Sequence, residues 1–470
     1  MAHEKGGEGT VHALARIALQ VDEAAFSAAI MRQAQLLLLD TIGCGIAGAR
    51  EGVARAVADV ALEGGGKREC AVVGRSEKTG VLNAVLINGV AIRVLDLNDY
   101  LIGESKNEPE TAGHPSDLIP VALAIGAARR CSGAAILQSI ITGYELYARL
   151  QRMMDRSGQW DSVSASGIVA PAMAGRLMGL DESPLAHAIS LGAARAATPS
   201  IVRTGDISAT KSIASALVAQ AGAQAALLAE RGITGPLTIL DDATGLRDLF
   251  AHGDREALRA PISERSAIHR AHVKAYPCVN TAQSAVAAAL ELHAMLGRGA
   301  EKLSRVEIVM ADYRVIKRHQ DDPGRIRPLS REAADHSFPF LVAVTLIDGA
   351  LGTAQFENER WHDPHVKALM SRIVMSRDPK WNERAPGAYP CTIRARDVDG
   401  RALVAEVPYP PGFSQSGVGE ATVIAKFHAL AAPVLSSAVR ERIVDAVMDF
   451  HHSPSTTTLD GAISTQGPSN

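Results

Sequence analysis

The chain has 470 residues, 47% of them hydrophobic, and a formal net charge of −3. That length is more than one ordinary core holds and points to two domains. The balance of 48 Lys and Arg against 51 Asp and Glu argues against a nucleic-acid partner and against an electrostatic membrane anchor.

The N-terminal stretch Met-Ala-His-Glu-Lys-Gly-Gly-Glu-Gly has no apolar segment of the signal-peptide kind. The most apolar run, 81–95, is broken by Asn83, Asn88 and Arg93, so no membrane span is expected. Five scattered cysteines, with no C-x-x-C pair, fit a reducing, cytoplasmic setting without disulfides or a zinc site.

Alanine-rich helices fill the first half. Ile30, Ala34, Leu37, Leu38 and Thr41 follow helical spacing, and 118–128, 134–150, 168–178 and 184–197 continue it. Many faces carry only Ala, Gly and Ser, which lets helices approach closely. A long helix from about Lys211 is expected to stop at Gly232, a C′ glycine. Near residue 265 the pattern changes. Val306, Ile308 and Met310 alternate with polar residues, and 372–376 is another candidate strand. The segments 391–398 and 402–407 flank Asp399-Gly400, a hairpin signal. Helical segments are expected at 281–296, 339–350 and 365–370, and the chain ends in a helix over 437–450 and a polar tail.

The chemistry concentrates at 96–116. Asp96 and Asp99 close an apolar helical run, and a spacing of three would put both carboxylates on one helical face. A polar loop over 103–112 leads to Gly113-His114-Pro115-Ser116-Asp117. Pro115 stiffens the chain beside His114 and Gly113 permits close backbone approach. A histidine so held can act as acid or base near neutral pH; Ser116 and Asp117 could equally be helix caps. Lys211, behind a Ser208 N-cap, and Lys274, before a Thr281 N-cap, stand near helix N-termini, where a cation makes sense if it shares an anion with free backbone N–H groups. His336 lies in Asp335-His336-Ser337-Phe338-Pro339, before an apolar helix for which Asp335 and Ser337 are the candidate caps. His269 and His272 lack the accompanying glutamate of a zincin, and neither a phosphate loop nor a nucleophile elbow is present.

In sequence order, these motifs resemble the MmgE/PrpD family over residues 10–450. The resemblance rests on Arg93-Val-Leu-Asp96-Leu-Asn-Asp99, Gly113-His114-Pro115-Ser116-Asp117, Thr210-Lys211, Lys274-Ala-Tyr-Pro277-Cys278 and Asp335-His336-Ser337. Pro411-Gly412, Glu420 and Lys426-Phe427 match late in the chain. The family contains 2-methylcitrate dehydratases, cis-aconitate decarboxylases and an iminodisuccinate epimerase. The resemblance implies a mainly α fold: a large all-helical domain from both chain ends (1–266 and 405–452) and a smaller α+β lid domain (267–404); the Ser/Thr/Gly/Pro-rich tail (453–470) is expected to be disordered. The resemblance further implies a homodimer, no cofactor, no metal, and a small polycarboxylate substrate between the domains. His114, Lys211, Lys274 and Asp96 are then the expected catalytic residues, with Asp96 or Asp99 orienting His114. Asp99, Tyr100, Ser116, His336 and Gln283 are the expected substrate contacts. The chain departs from its relatives at three histidine positions, near Asp161, Ala214 and Gln283. The activity implied is a hydro-lyase of the 2-methylcitrate dehydratase kind, with an epimerase, a decarboxylase or a silent carboxylate-binding homologue as alternatives.

Overall fold

The computed structural model describes residues 9–464 apart from 21–25, 104–109, 155–158, 251–257, 259–265, 298, 386–387 and 414–416. It is mainly helical with a small sheet-containing part. Two large apolar cores form. One draws on Val11 to Val273 and again on Val418 to Ile463; the other on Cys278 to Val407.

In the first core the helix Ala28–Gly48, capped by Ser27, is buried along most of its length, Gln35 and Asp40 included. The helix Thr210–Ala229 packs against Val81–Arg93, Ser164–Leu177 and Glu182–Ala193. Small residues set the spacing: a Cβ on Gly89 would sit 2.8 Å from that of Ala216. Thr210–Ala229 is long and apolar enough to cross a membrane by length and composition, but most of that surface is buried against these neighbours. It ends as expected, with Gly232 at positive φ and the Ile233 N–H donating to Leu228 O. Its start differs: Ala209, not Ser208, holds the cap position and no side chain caps it. The C-terminal return is pinned by Lys426, which pairs with Asp40 at 2.7 Å and donates to Leu97 O at 2.8 Å.

The second core is a four-stranded sheet backed by helices. Strand β6 (Leu303–Met310) pairs in parallel with β7 (Ile373–Arg377) and antiparallel with β8 (Cys391–Asp397), and β8 pairs with β9 (Ala402–Val407), giving the order β7-β6-β8-β9. The alternating burial of β9 turns one face toward the helix Gln283–Leu296. Gly400 takes positive φ in the β8–β9 turn. Earlier in the chain, β1 (Cys70–Ala71) and β2 (Lys78–Thr79) form a small ladder.

Three local expectations are corrected. The helix Val81–Arg93 stops before Asp96, whose φ of 50° turns the chain out of the helix; Asp96 and Asp99 therefore share no helical face. Aspartate tolerates the left-handed region better than most residues. The expected loop 103–112 is instead flanked by paired strands, β3 (Tyr100–Gly103) and β4 (Glu110–Gly113). Strand β5 (Ala271–His272) joins β3 through Tyr100↔His272, which carries Lys274 to the Asp96 turn. In the tail, the helix Thr457–Ile463 buries Leu459 and Ile463. The spacing Leu459, Ala462, Ile463 is an apolar helical face hidden in a Ser/Thr/Gly-rich composition.

Candidate active site

Asp96 lies at the centre of a buried charge cluster. Arg93 Nη1 donates to its Oδ1 at 2.6 Å, Lys274 Nζ to the same oxygen at 2.5 Å, and Lys211 Nζ to Oδ2 at 3.0 Å. Lys274 Nζ also donates to the Asp96 carbonyl at 2.8 Å. Lys211 reaches Asp335 Oδ1 and Oδ2 at 2.9 and 2.8 Å, and His336 Nδ1 hydrogen-bonds Asp335 Oδ1. Burial alone would raise the Asp96 carboxyl, but Arg93, Lys211 and Lys274 together hold it well below the ordinary range. Asp96, Asp335 and His336 place ligand atoms within 4.8 Å of one another, a spacing that could suit a metal ion. Here both carboxylates are already neutralised by the lysine and arginine nitrogens.

His114 stands at the end of β4. Its Nδ1 lies 2.6 Å from the Asp99 backbone carbonyl, which can only accept, so Nδ1 carries the proton and Nε2 is left as an acceptor. The orienting group is thus the Asp99 main chain, and neither Asp96 nor the Asp99 carboxylate. Burial, with Arg93 and Lys274 nearby, pushes the imidazole well below its ordinary value. The Asp99 side chain points elsewhere: it accepts from Ser116 Oγ and, at 2.7 Å, from Tyr144 Oη. Burial raises its carboxyl to about 7, against the pull of those two donors.

A cavity of about 210 Å³ lies between the two cores, smaller than the roughly 300–1,000 Å³ of drug-sized sites. His114, Lys274, Asp96 and His336 all line it. Arg93, Arg203, Arg318 and Arg325 join Lys274 there, so five cations face two carboxylates, Asp96 and Asp161. Burial draws Lys274 down to about 8, against the opposing effect of Asp96. Burial and then Lys211 draw His336 down to about 4, against Asp335.

Several expected site residues fall outside this wall. Lys211 donates to three carboxylate oxygens, so its hydrogens are spent on protein and not on a substrate. Asp99 and Ser116 are bonded to each other and to Tyr144 and Asn98 behind His114. Tyr100 is fully buried beside His272, which stacks on Phe413. Gln283 is a brace: its Oε1 accepts from the Ala275 and Tyr276 N–H groups at 3.0 Å each, and its Nε2 donates to Tyr276 O at 2.9 Å. It thereby shapes the turn after Lys274. Thr281 is no helix cap either; Ala282 holds that position, and Thr281 Oγ1 lies 3.0 Å from His319 Nε2.

Sequence reasoning missed Arg203, Arg318, Arg325, His319, Asp161 and Thr281 as lining residues. For Arg318, Arg325 and His319 the available signal was the charge-dense 317–331 segment. Asp161 was marked only as a position where relatives carry a histidine, and Arg203 carried no signal, because an isolated arginine forms no spacing pattern.

The cavity between the helical core and the smaller sheet-backed core is thus walled mainly by cations. Residues 12–258 match the MmgE/PrpD N-terminal domain and residues 276–450 the MmgE/PrpD C-terminal domain; the chain belongs to the MmgE/PrpD family. Among curated relatives it is 27% identical to a 2-methylcitrate dehydratase of Cupriavidus necator, over 73% of this chain and 72% of that protein. It is 25% identical to a 2-methylcitrate dehydratase of Salmonella typhimurium, with 88% and 89% covered. It is 23% identical to a cis-aconitate decarboxylase of Mus musculus, with 89% and 86% covered.

Proposed function

We propose that this chain is a lyase of the MmgE/PrpD kind acting on a small di- or tricarboxylate, and specifically a hydro-lyase like the 2-methylcitrate dehydratases it resembles. The observation that carries this reading is a neutral His114 with an accepting Nε2 in a cavity whose wall is strongly cationic. His114 Nε2 takes the proton α to a substrate carboxylate. Lys274 and Arg93 stabilise the negative charge that spreads onto that carboxylate. The C–O bond breaks as the double bond forms. Lys274, still protonated at neutral pH with a value of about 8, gives its proton to the departing hydroxyl, which leaves as water. His336, oriented by Asp335, offers an acceptor to a substrate hydroxyl.

The test is to incubate the full chain with 2-methylcitrate and with citrate and follow the ultraviolet absorbance of an α,β-unsaturated acid. Growth of that absorbance, lost in His114→Gln, is the expected result. Deuterium uptake into unchanged substrate in D2O, without an absorbing product, would replace the dehydratase with an epimerase. Ligand stabilisation with neither outcome would leave a silent binding homologue.

A further inference from the structure

A continuous hydrogen-bonded chain runs along one wall of the cavity, and no step of the dehydration uses it. Thr281 Oγ1 meets His319 Nε2 at 3.0 Å, and Arg325 Nη1 meets His319 Nδ1 at 2.8 Å. Arg325 Nη2 donates to the Arg203 carbonyl at 2.8 Å, and Arg203 Nε donates to Asp161 Oδ2 at 2.5 Å. All five residues line the cavity. Thr281, His319, Arg325 and Asp161 are each at least nine-tenths buried.

Counting donors gives this chain a direction. A guanidinium only donates, so His319 Nδ1 accepts from Arg325. Burial and the adjacent Arg325 keep His319 neutral, and its single proton has two acceptors in reach, Thr281 Oγ1 and the His336 backbone. When that proton goes to Thr281, the Thr281 hydroxyl proton is free for another acceptor. At the other end, Asp161 Oδ1 accepts from the Val163 N–H at 3.0 Å and Oδ2 from Arg203. Both oxygens are occupied, and the guanidinium is held by its Nε edge. The Arg203 side chain is 16% exposed and lines the cavity, while its Nη2 is buried and has no hydrogen-bond acceptor among the described residues. A buried charged donor left open is costly and calls for a partner that the protein does not supply.

We propose that Arg203 and Thr281 form a subsite for a second carboxylate of the substrate, separate from the His114 and Lys274 end where the proton moves. The guanidinium N–H and the Thr281 O–H are donated to that carboxylate. Asp161, Arg325 and His319 are positioning residues that aim these two donors. This rests on reading the cavity as a polycarboxylate site.

Calorimetric titration of the full chain with glutarate and with pentanoate, in which a methyl replaces the second carboxylate, tests it. The unaltered chain should prefer glutarate by about tenfold to a hundredfold, as one charge-assisted contact implies. Arg203→Gln should abolish that preference and leave pentanoate binding unchanged; Arg203→Lys should restore part of it. Thr281→Val, which keeps every charge, should lower glutarate affinity several-fold and not that of pentanoate, and covers the case in which Arg203→Gln fails to fold. Retention of the full preference in Arg203→Gln, or in Thr281→Val if only that variant folds, would overturn the subsite alone. No preference in the unaltered chain would overturn both the subsite and the polycarboxylate reading.

Discussion

His114 and Lys274 face one cavity with opposite demands on their protons. The proposed step needs His114 neutral and Lys274 charged. Burial favours the uncharged form of both, but only Lys274 has a carboxylate, Asp96, in direct contact to oppose it. The signs then set the pH profile. Lys274 loses its proton as pH rises through about 8, so kcat/KM should fall there. His114 titrates well below 6.5, so kcat/KM should stay level as pH falls through the ordinary imidazole range. Initial rates across pH measure this, and an inflection near 6.5 would contradict it. Replacing His114 with Gln should lower kcat by about 10²–10⁴-fold, the usual contribution of a positioned general base. The melting temperature should hardly move, since the ring makes one hydrogen bond to a backbone carbonyl. Near-normal turnover in that variant would remove His114 from the mechanism.

At the scale of elements, the site depends on how three short strands are joined. Strand β3 sits between β4, which ends at Gly113 beside His114, and β5, which leads into Lys274. Gly113 has a φ of 97°, and a Cβ there would lie 2.3 Å from Tyr147 Oη and 3.1 Å from Ser162 Oγ. Tyr147 cannot simply swing away, because it is buried and donates to Ser162 O at 3.1 Å. Gly113→Ala therefore combines an unfavourable dihedral with a steric clash. It should displace His114 and reduce kcat by at least about tenfold, as an ångström-scale misplacement does. A crystal structure or an amide-exchange comparison of the β3–β4 hairpin would show the shift; an unshifted hairpin with full activity would refute the account.

At the scale of the whole molecule, Lys211 ties the two cores together. It starts the helix Thr210–Ala229 in one core and holds Asp335, just before the helix Phe338–Asp348 of the other. Removing one partner of a buried ionic cluster leaves an uncompensated charge and costs about 3–5 kcal/mol. Lys211→Met should accordingly lower the melting temperature sharply. A variant with unchanged melting temperature but raised KM would instead make Lys211 a substrate anchor, the role its place in the sequence suggested.

Much of the architecture was legible in residue order because it rests on local periodicity. The Ala-rich helices, the Asp399-Gly400 hairpin and the Gly232 stop each depend on neighbours a few positions away. That His114, Lys274, Asp96 and His336 would come together could also be read there, since they sit in compact motifs. Which groups those residues touch could not. Asp96 turns out of its helix because Arg93, Lys211 and Lys274 converge on its carboxylate from positions up to 178 residues apart. Gln283 braces a turn where a substrate contact was expected, and Lys211 is spent on two aspartates. The arginine wall came from residues with no local pattern, assembled only when the second core packed over the first. Periodicity acts over a few residues, whereas burial and charge pairing depend on distance in space, and it is these that separate the cavity-lining groups from those that hold them in place.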